Sequence, residues 1–241
     1  MTPFLTAVWS DLILVSYAVP DEAVLSYLPP GLVPDKWEGS AWCSLVAFDF
    51  TQTRVLGWSV PYPRTLCDFP EFNLRLYARQ GGRRGVVFVR ELISNPLVAG
   101  MAKLIYNEPY SVVPITSRVT QAGDVRRVRH DFRVGHDFRV EGQPQVCAVT
   151  ARGAASMPNE GGFETWVKEQ EAGFNRSHTG RLTSFRVWHP AWRIYPVESL
   201  DLSVDFGLLY GDRWRFLQGR APDSVVLAEG SQIAIYPNET H

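Results

Sequence analysis

Residues 71–77 read EFNLRLY, in which polar and apolar side chains alternate at every position. Successive side chains of a β-strand point to opposite faces, so this alternation predicts a strand. One face carries the apolar set Phe72, Leu74 and Leu76. The other face carries the polar set Glu71, Asn73, Arg75 and Tyr77. The apolar face is expected to turn toward a core, and the surroundings of the polar face decide what the strand does.

The polar face has two interpretations that both stay open on the sequence. One is a half-exposed strand whose polar row meets water, as in many antiparallel sheets. The other is a strand whose polar row lines an internal cavity, as in small barrels that enclose a ligand. A carboxylate, an amide, a guanidinium and a phenol in one row favour the cavity slightly. In a dry pocket Glu71 would have a raised pKa unless Arg75 paired with it, and it would then serve as a general acid or base.

The rest of the chain is rich in short β-forming segments that are separated by turn residues. The clearest are residues 41–50, 85–92, 145–151, 200–211 and 232–237. This pattern predicts a mainly β, β-rich α+β fold, either a barrel or two packed sheets. Glycine and proline are scattered evenly, so one domain over residues 1–241 is expected. The glycine-rich residues 81–85 fit the tip of a hairpin.

Three peripheral helices are predicted. The first follows Pro20 and ends before Pro29, with acidic residues in its first turn. The second is capped by Asn95 and ends before Pro109. The third covers roughly residues 163–172, with its large apolar side chains on one face.

Composition narrows the class of protein. The chain has 241 residues, 45% of them hydrophobic, and a formal net charge of −1. A chain of this length can bury one large core, and the near-neutral charge argues against a nucleic-acid partner. No apolar run is long enough to span a membrane, and Asp11 interrupts the apolar N-terminal stretch. A cytoplasmic location and no membrane association are therefore expected.

Two patterns are candidates for metal or redox sites. Residues 130–134 and 136–140 both read HDFRV, yet His130 and His136 in one strand would lie roughly 20 Å apart, too far for one ion. A hairpin could bring them together, but the favoured interpretation is an edge hairpin with solvated charges. The three cysteines, Cys43, Cys67 and Cys147, follow no metal-binding spacing. Neither a metal nor a cofactor is predicted.

Only three of the 24 basic residues are lysines, which limits any chemistry that needs an amine. Lys36 lies in the turn of residues 34–39 and is expected to face solvent. Lys168 lies among three glutamates and is interpreted as a paired surface lysine. The other titratable candidate is His189, between two tryptophans. It could serve as an acid or base near neutral pH, although a packed turn histidine bonded to the backbone is the preferred interpretation.

Several segments together resemble a known family. They are VSYAVPDEAVLSYLPPGL (15–32), FPEFNLRLYARQGGRRGVVFV (69–89), MAKLIYNEPY (101–110), GFETWVKEQEAGF (162–174) and VWHPAW (187–192). In order and spacing they resemble the YqjF-like bacterial proteins, an uncharacterised group within the acetoacetate decarboxylase-like superfamily. The resemblance runs from about Trp9 to the C-terminus. It implies a cone-like barrel of mostly antiparallel strands around an internal pocket, in folds that are often homo-oligomers.

The resemblance also allows the landmark residues of the decarboxylases to be placed. Their acidic residue falls on Glu71, and their substrate-binding arginine falls on Ala18. Their Schiff-base lysine falls on Tyr110, and a further arginine falls on Lys103. A tyrosine cannot form an imine, and Lys103 lies seven residues before that position. The resemblance therefore implies a pocket without the Schiff-base lysine, and a chain that is not a Schiff-base decarboxylase.

Three hypotheses follow for function. The favoured one is a small-molecule-binding protein whose ligand is anionic or carbonyl-bearing. The second is a lyase or isomerase that acts on a small carbonyl or carboxylate compound, with Glu71 as general acid or base and Tyr110 beside it. The third is a non-catalytic interaction protein with a filled barrel. The candidate ligand-binding residues are Asn73, Arg75, Tyr77, Lys103 and His189.

Overall fold

The structure, a computed structural model, describes residues 2–59, 68–100, 109–134, 142–177 and 179–240. The strands are β1 Leu5–Val19, β2 Val33–Pro34, β3 Ala41–Val55, β4 Trp58–Ser59, β5 Phe69–Gln80, β6 Arg83–Ile93, β7 Tyr110–Val112, β8 Thr116–Ala122, β9 Val125–Val134, β10 Gln143–Arg152, β11 Ala172–Arg176, β12 Leu182–Trp188, β13 Ile194–Tyr195, β14 Val197–Ser203 and β15 Ser224–Thr240. The helices are α1 Asp21–Leu25, α2 from residue 96, α3 Phe163–Lys168, α4 Phe206–Tyr210 and a 3-10 helix Asp212–Leu217. The mainly β prediction is confirmed. None of the helices within the described ranges is long and apolar enough to cross a bilayer.

Seven strands of the larger sheet close on themselves. Their order is β5, β3, β1, β15, β12, β11 and β6, and β6 pairs again with β5. The closure is irregular, because β11 and β7 both run parallel to β6 and share its outer edge. Residues Gly85 and Val86 pair with β11, whereas residues Glu91–Ile93 pair with β7. The closed strands enclose an interior.

A second sheet of four antiparallel strands, in the order β14, β10, β9 and β8, lies against the outside of the first. Its apolar side chains join the same core as the outward face of β5. The rings of Phe72 on β5 and Phe132 on β9 meet edge to face at 5.1 Å. A partly buried ion pair between Asp11 on β1 and Arg126 on β9 also links the sheets. This packing buries the outward face of the closed sheet.

Strand β5 has the two faces that its sequence predicts. Its apolar residues Phe72, Leu74 and Leu76 are completely buried in the core between the sheets. Its polar residues face the interior of the closed strands, and each of them is also buried. Strand β6 returns beside it through the glycine-rich turn, as predicted. One bulge interrupts the pairing between Leu74 and Arg75 and shifts the register by one residue.

The helix predictions are correct in position and partly wrong in length. Asn95 caps α2 as predicted, because its Oδ1 accepts hydrogen bonds from two backbone N–H groups of the first turn at 3.0 and 3.1 Å. Residues 101–108, where that helix was expected to end, lie outside the described residues. Helix α1 ends at Leu25, and α3 ends at Lys168 rather than near residue 172.

The predicted strand over residues 200–211 is wrong in its second half. Strand β14 ends at Ser203, and Asp205 begins α4 by accepting a hydrogen bond from Leu208 N at 2.9 Å. An Asp at this position satisfies an N–H group that a helix start leaves unpaired, and this local bond favours the helix over a longer strand.

The HDFRV repeat does not form an edge hairpin with solvated charges in its described part. Its first copy ends β9, which lies between β8 and β10 and is therefore a central strand of its sheet. His130 is completely buried there, with its Nε2 3.4 Å from Asp49 Oδ1 on β3. The second copy, with His136, lies outside the described residues. Cys67 also lies outside them, while Cys43 and Cys147 are buried and form no disulfide within the described part of the chain.

Candidate functional site

The interior of the closed strands holds a cavity of about 320 Å³. This volume lies at the lower end of the roughly 300–1,000 Å³ that is usual for sites of small molecules. Most of the wall is apolar. Its main apolar residues are Trp9, Leu12, Val46, Phe48, Phe50, Phe69, Val86, Phe88, Phe185 and Trp192. Its polar residues are Glu71, Asn73, Arg75, Glu91, Tyr110, Lys168, Gln170 and His189.

The polar row of β5 faces this cavity and not solvent. Glu71, Asn73 and Arg75 all line it. Tyr77, the fourth member, lies behind Arg75 and does not line the cavity. Its hydroxyl is 2.6 Å from Ser44 Oγ and accepts a hydrogen bond from Arg75 Nε at 3.3 Å. Tyr77 therefore supports the guanidinium and is not placed to touch a ligand.

Glu71 belongs to a pair of buried carboxyl groups. It is 3% exposed, and its Oε1 accepts a hydrogen bond from Asn73 Nδ2 at 2.8 Å. It also hydrogen-bonds Glu91 on β6, which is 2% exposed. Burial raises the pKa of Glu71 to about 7, against the opposing effects of Asn73, Arg75 and the bond to Glu91. Because the bond to Glu91 lowers the pKa of Glu71, it favours the ionised form, so the two groups share one proton once Glu71 has lost its own.

Arg75 does not pair with Glu71, although the two side chains share a face of β5. Its Nη2 donates to the backbone oxygen of Val167 at 2.8 Å, and its guanidinium carbon lies 5.5 Å from the centre of the Tyr77 ring. The arginine therefore ties β5 to the end of α3, and it lowers the pKa of Glu71 only through space. The carboxyl pair consequently stays partly protonated instead of forming an ion pair.

Lys168 corrects a sequence interpretation, because it is not a surface lysine. It is 2% exposed and lines the cavity, with its Nζ donating to the backbone oxygen of Trp192 at 3.0 Å. Burial lowers its pKa, and the charges of Glu169 and Glu164 offset this only in part. Among the described residues no carboxylate lies within ion-pairing distance of the amine. Helix α3 ends at Lys168, and β11 begins at Ala172.

His189 and Tyr110 complete the polar wall. His189 stacks on Trp192, with 4.0 Å between the ring centres, and its Nδ1 lies 2.9 Å from the backbone oxygen of Pro190. Burial lowers its pKa, so the neutral ring predominates near pH 7. Donation from Nδ1 then leaves Nε2 as an acceptor. Tyr110 is half-buried and pairs in register with Glu91. Lys103 lies outside the described residues.

Three residues of the wall escaped the sequence reasoning: Glu91, Lys168 and Gln170. Gln170 is 7% exposed and donates from Nε2 to the backbone oxygen of Trp166 at 2.8 Å. Its Oε1 is buried and has no hydrogen-bond partner among the described residues, and the same is true of the Oδ1 of Asn73. Both residues line the cavity, which therefore presents two unsatisfied acceptors. A buried polar atom without a partner is costly, and a bound molecule with hydrogen-bond donors would satisfy it.

The family of the chain follows from a comparison of its whole length. A family model for DUF2071, described as an uncharacterized conserved protein, matches residues 6–232. The chain belongs to the DUF2071 family. It is similar to the uncharacterized protein YqjF of Bacillus subtilis (strain 168), with 29% identity over 103 residues. That match spans 42% of this chain and 41% of YqjF. The predicted resemblance to YqjF-like proteins is confirmed.

Solved structures place this DUF2071 chain in the acetoacetate decarboxylase-like fold, and each match covers 100% of it. The enduracididine biosynthesis enzyme MppR, complexed with pyruvate, aligns with a TM-score of 0.67 and 18% identity over 91% of its own chain. An acetoacetate decarboxylase-like enzyme from Sphingomonas wittichii RW1 aligns with a TM-score of 0.63 and 13% identity over 94%. The acetoacetate decarboxylase of Legionella pneumophila aligns with a TM-score of 0.60 and 11% identity over 88%. At these identities the likeness concerns the fold alone.

Proposed function

We propose that the cavity binds a small organic molecule that carries a carboxylate or carbonyl group on an apolar body. The observation that carries this proposal is the wall itself, in which buried, ionisable and partly unsatisfied polar groups face an otherwise apolar space. A core that served only stability would be filled with apolar side chains and would not keep an unpaired acceptor at Asn73 or Gln170. The filled-barrel hypothesis is therefore not favoured.

The polar groups define the orientation of the ligand. Arg75 lines the cavity at the end of α3, where its Nη2 donates to the backbone oxygen of Val167. This guanidinium favours an anionic group at that side of the cavity. Glu71, while it is protonated, donates a hydrogen bond to a carbonyl or carboxyl oxygen of the ligand. The aromatic wall then holds the remaining apolar atoms.

A solved relative of the same fold supports this ligand class. The structure of MppR contains pyruvate, which joins a carboxylate to a ketone. The proposal for this chain is the wider class of small oxo acids and related carbonyl compounds. The bulky aromatic residues at Trp9, Phe48 and Phe50 favour a molecule with an apolar substituent over pyruvate itself.

A second candidate function, catalysis, is favoured by one specific observation. The pKa of Glu71 is near 7, so both of its protonation states are populated at neutral pH. A general acid or base works best under this condition. Proton transfer at a carbon beside a carbonyl group would be lyase or isomerase chemistry. Glu71 would then move the proton, and Tyr110, which pairs in register with Glu91, would help to position the carbonyl oxygen.

Thermal-shift measurements test the binding proposal. The probes are pyruvate, lactate, phenylpyruvate and phenyllactate, with wild-type protein and the variants Val46→Phe, Glu71→Gln and Glu160→Gln. A ligand at 100 times its dissociation constant stabilises by about 2.7 kcal/mol, which is about 5–10 °C in Tm for a chain of this size. Val46 is 1% exposed and lines the cavity, so a phenyl group there fills it. Glu160 is exposed and is the control.

The expected result is a shift with at least one phenyl-bearing acid that disappears in Val46→Phe, weakens in Glu71→Gln and stays unchanged in Glu160→Gln. A shift that persists in a folded Val46→Phe variant would place the ligand elsewhere. The absence of any shift with all four probes would contradict the proposed ligand class.

A further inference from the structure

The side chain of Lys168 combines three properties that are rare together in a lysine. It is almost completely buried, it lines a cavity, and it has a backbone carbonyl rather than a carboxylate as its hydrogen-bond partner. An ammonium ion in such a place is poorly solvated, whereas a neutral amine loses little. The neutral amine can still donate one N–H to the Trp192 oxygen, and its lone pair then remains available.

The hydrogen bond to Trp192 also fixes where that amine lies. The indole Nε1 of Trp192 donates to Ser231 Oγ at 2.7 Å, and its ring is stacked on His189. Trp192 is 3% exposed and is thus held on both sides. The side chain of Lys168, which lines the cavity, donates to the backbone of this immobilised residue, so its Nζ has a fixed position.

We propose that Lys168 Nζ is a nucleophile that condenses with the carbonyl carbon of an aldehyde or ketone bound in the cavity. The proposal rests on the proposed function, because it deepens the ligand class to compounds with a reactive carbonyl. The nitrogen lone pair forms a C–N bond while the carbonyl π electrons move to oxygen, which takes a proton. Loss of the hydroxyl group as water, with the second amine proton, then leaves a C=N bond. The exchange of one amine and one carbonyl for one imine and one water needs no oxidant or reductant.

The other described lysine is the natural comparison. Lys36 is 40% exposed and lies 2.6 Å from Asp21 Oδ2, so its amine is a solvated, paired ammonium. Such an amine reacts slowly with carbonyl compounds at neutral pH, since the ammonium has no lone pair. Lys36 therefore reports the background reactivity of a surface lysine in the same protein.

Reductive trapping tests the proposal. The full-length protein is incubated at neutral pH with pyruvate or phenylpyruvate and then reduced with borohydride, which converts an imine to a stable secondary amine. Peptide mass spectrometry locates the adduct in the wild type and in Lys168→Met, Lys168→Arg and Lys36→Arg. Lactate and phenyllactate are the matched controls, because they carry the same carboxylates but no carbonyl group.

One adduct per chain is expected at Lys168, at least tenfold above the amount at Lys36. It should be lost in both Lys168 variants and kept in Lys36→Arg. An adduct at Lys103, or one spread evenly over the lysines, would overturn the assignment to Lys168. Two replacements of Lys168 are made so that a folding defect in one of them does not decide the result. Circular dichroism shows whether each variant is folded.

Thermal shifts with the same probes separate this inference from the proposed function. If phenylpyruvate and phenyllactate both stabilise the protein and no adduct forms with phenylpyruvate, the binding proposal stands and the imine is overturned. If neither compound gives a shift and neither pyruvate nor phenylpyruvate gives an adduct, both proposals are overturned. An adduct at Lys168 that Val46→Phe abolishes supports both.

Discussion

Replacing Glu71 with Gln should stabilise the fold above neutral pH and have little effect near pH 4. The folded-state pKa of Glu71 is about 7, against an ordinary value of 4.5. Between these values the folded protein keeps a proton that the unfolded chain has lost, so the stability of the wild type falls as pH rises. The loss is complete above pH 7. The gap between the two pKa values corresponds to about 3 kcal/mol.

The amide that Glu71→Gln introduces imitates the protonated acid. Its oxygen can still accept the hydrogen bond from Asn73 Nδ2, and its N–H group can donate to Glu91. The variant therefore keeps the contacts of the neutral form and cannot acquire the buried charge. Its stability should vary less with pH than that of the wild type, and the two curves should separate progressively between about pH 4.5 and pH 7.

The assay is urea denaturation at a series of pH values from about 4 to 9, with wild type, Glu71→Gln and the exposed control Glu160→Gln. The expected gain of Glu71→Gln at pH 8 is up to about 3 kcal/mol, or about 6–12 °C in Tm. Glu160→Gln should follow the wild-type curve. Parallel curves for the wild type and Glu71→Gln, or a variant that is less stable at pH 8, would refute the assignment of a buried, proton-sharing carboxyl group.

Three further substitutions test the contacts that hold the strands and α4 in place around the site. Gly85→Ala should reduce the free energy of unfolding by several kcal/mol, because the new Cβ would clash with the backbone oxygen of Ala172 where β6 and β11 pair. Gly82 has open space around it, so Gly82→Ala should be nearly neutral in the same urea titration. Phe132→Ala should cost about 3–5 kcal/mol by opening a cavity between the two sheets, and calorimetry measures the loss. Asp205→Ala should cost about 1 kcal/mol by removing the cap of α4, and the Tm should fall by only a few degrees. Equal effects of Gly85→Ala and Gly82→Ala, or no loss in either of the other variants, would contradict these contacts.

Strand β5 could be predicted from its sequence because a strand has a period of two. The strict alternation of residues 71–77 determines which side chains share a face, whatever the rest of the fold does. The alternation does not predict what packs against either face of the strand. Both faces of β5 are buried, one by the second sheet and one around the cavity, and both layers come from distant parts of the chain.

Glu91 could not be found in the same way, because a bulge displaces it. In the half of the hairpin near the turn, Gln80 lies opposite Arg83, and this register continued without a break would place Arg90 opposite Asn73. The bulge beside Arg75 shifts the pairing by one residue and turns Glu91 to the cavity instead. A one-residue slip exchanges the two faces of a strand, so a single unpredicted bulge decides which charge enters the site.

The burial of Lys168 could not be predicted from the residues near it in sequence, and it adds an amine to the cavity wall. Its neighbours in sequence are glutamates, which favour a solvated helix face, but α3 has only six residues and ends at the lysine itself. The burial of its amine depends on Trp192, which is 24 residues away. The resemblance places Tyr110 where decarboxylases have their lysine, yet Tyr110 and Lys168 line the same cavity. The reactivity of an amine at a cavity wall depends on its solvation and on its access to a ligand. The end of a short helix can provide both, just as a strand can.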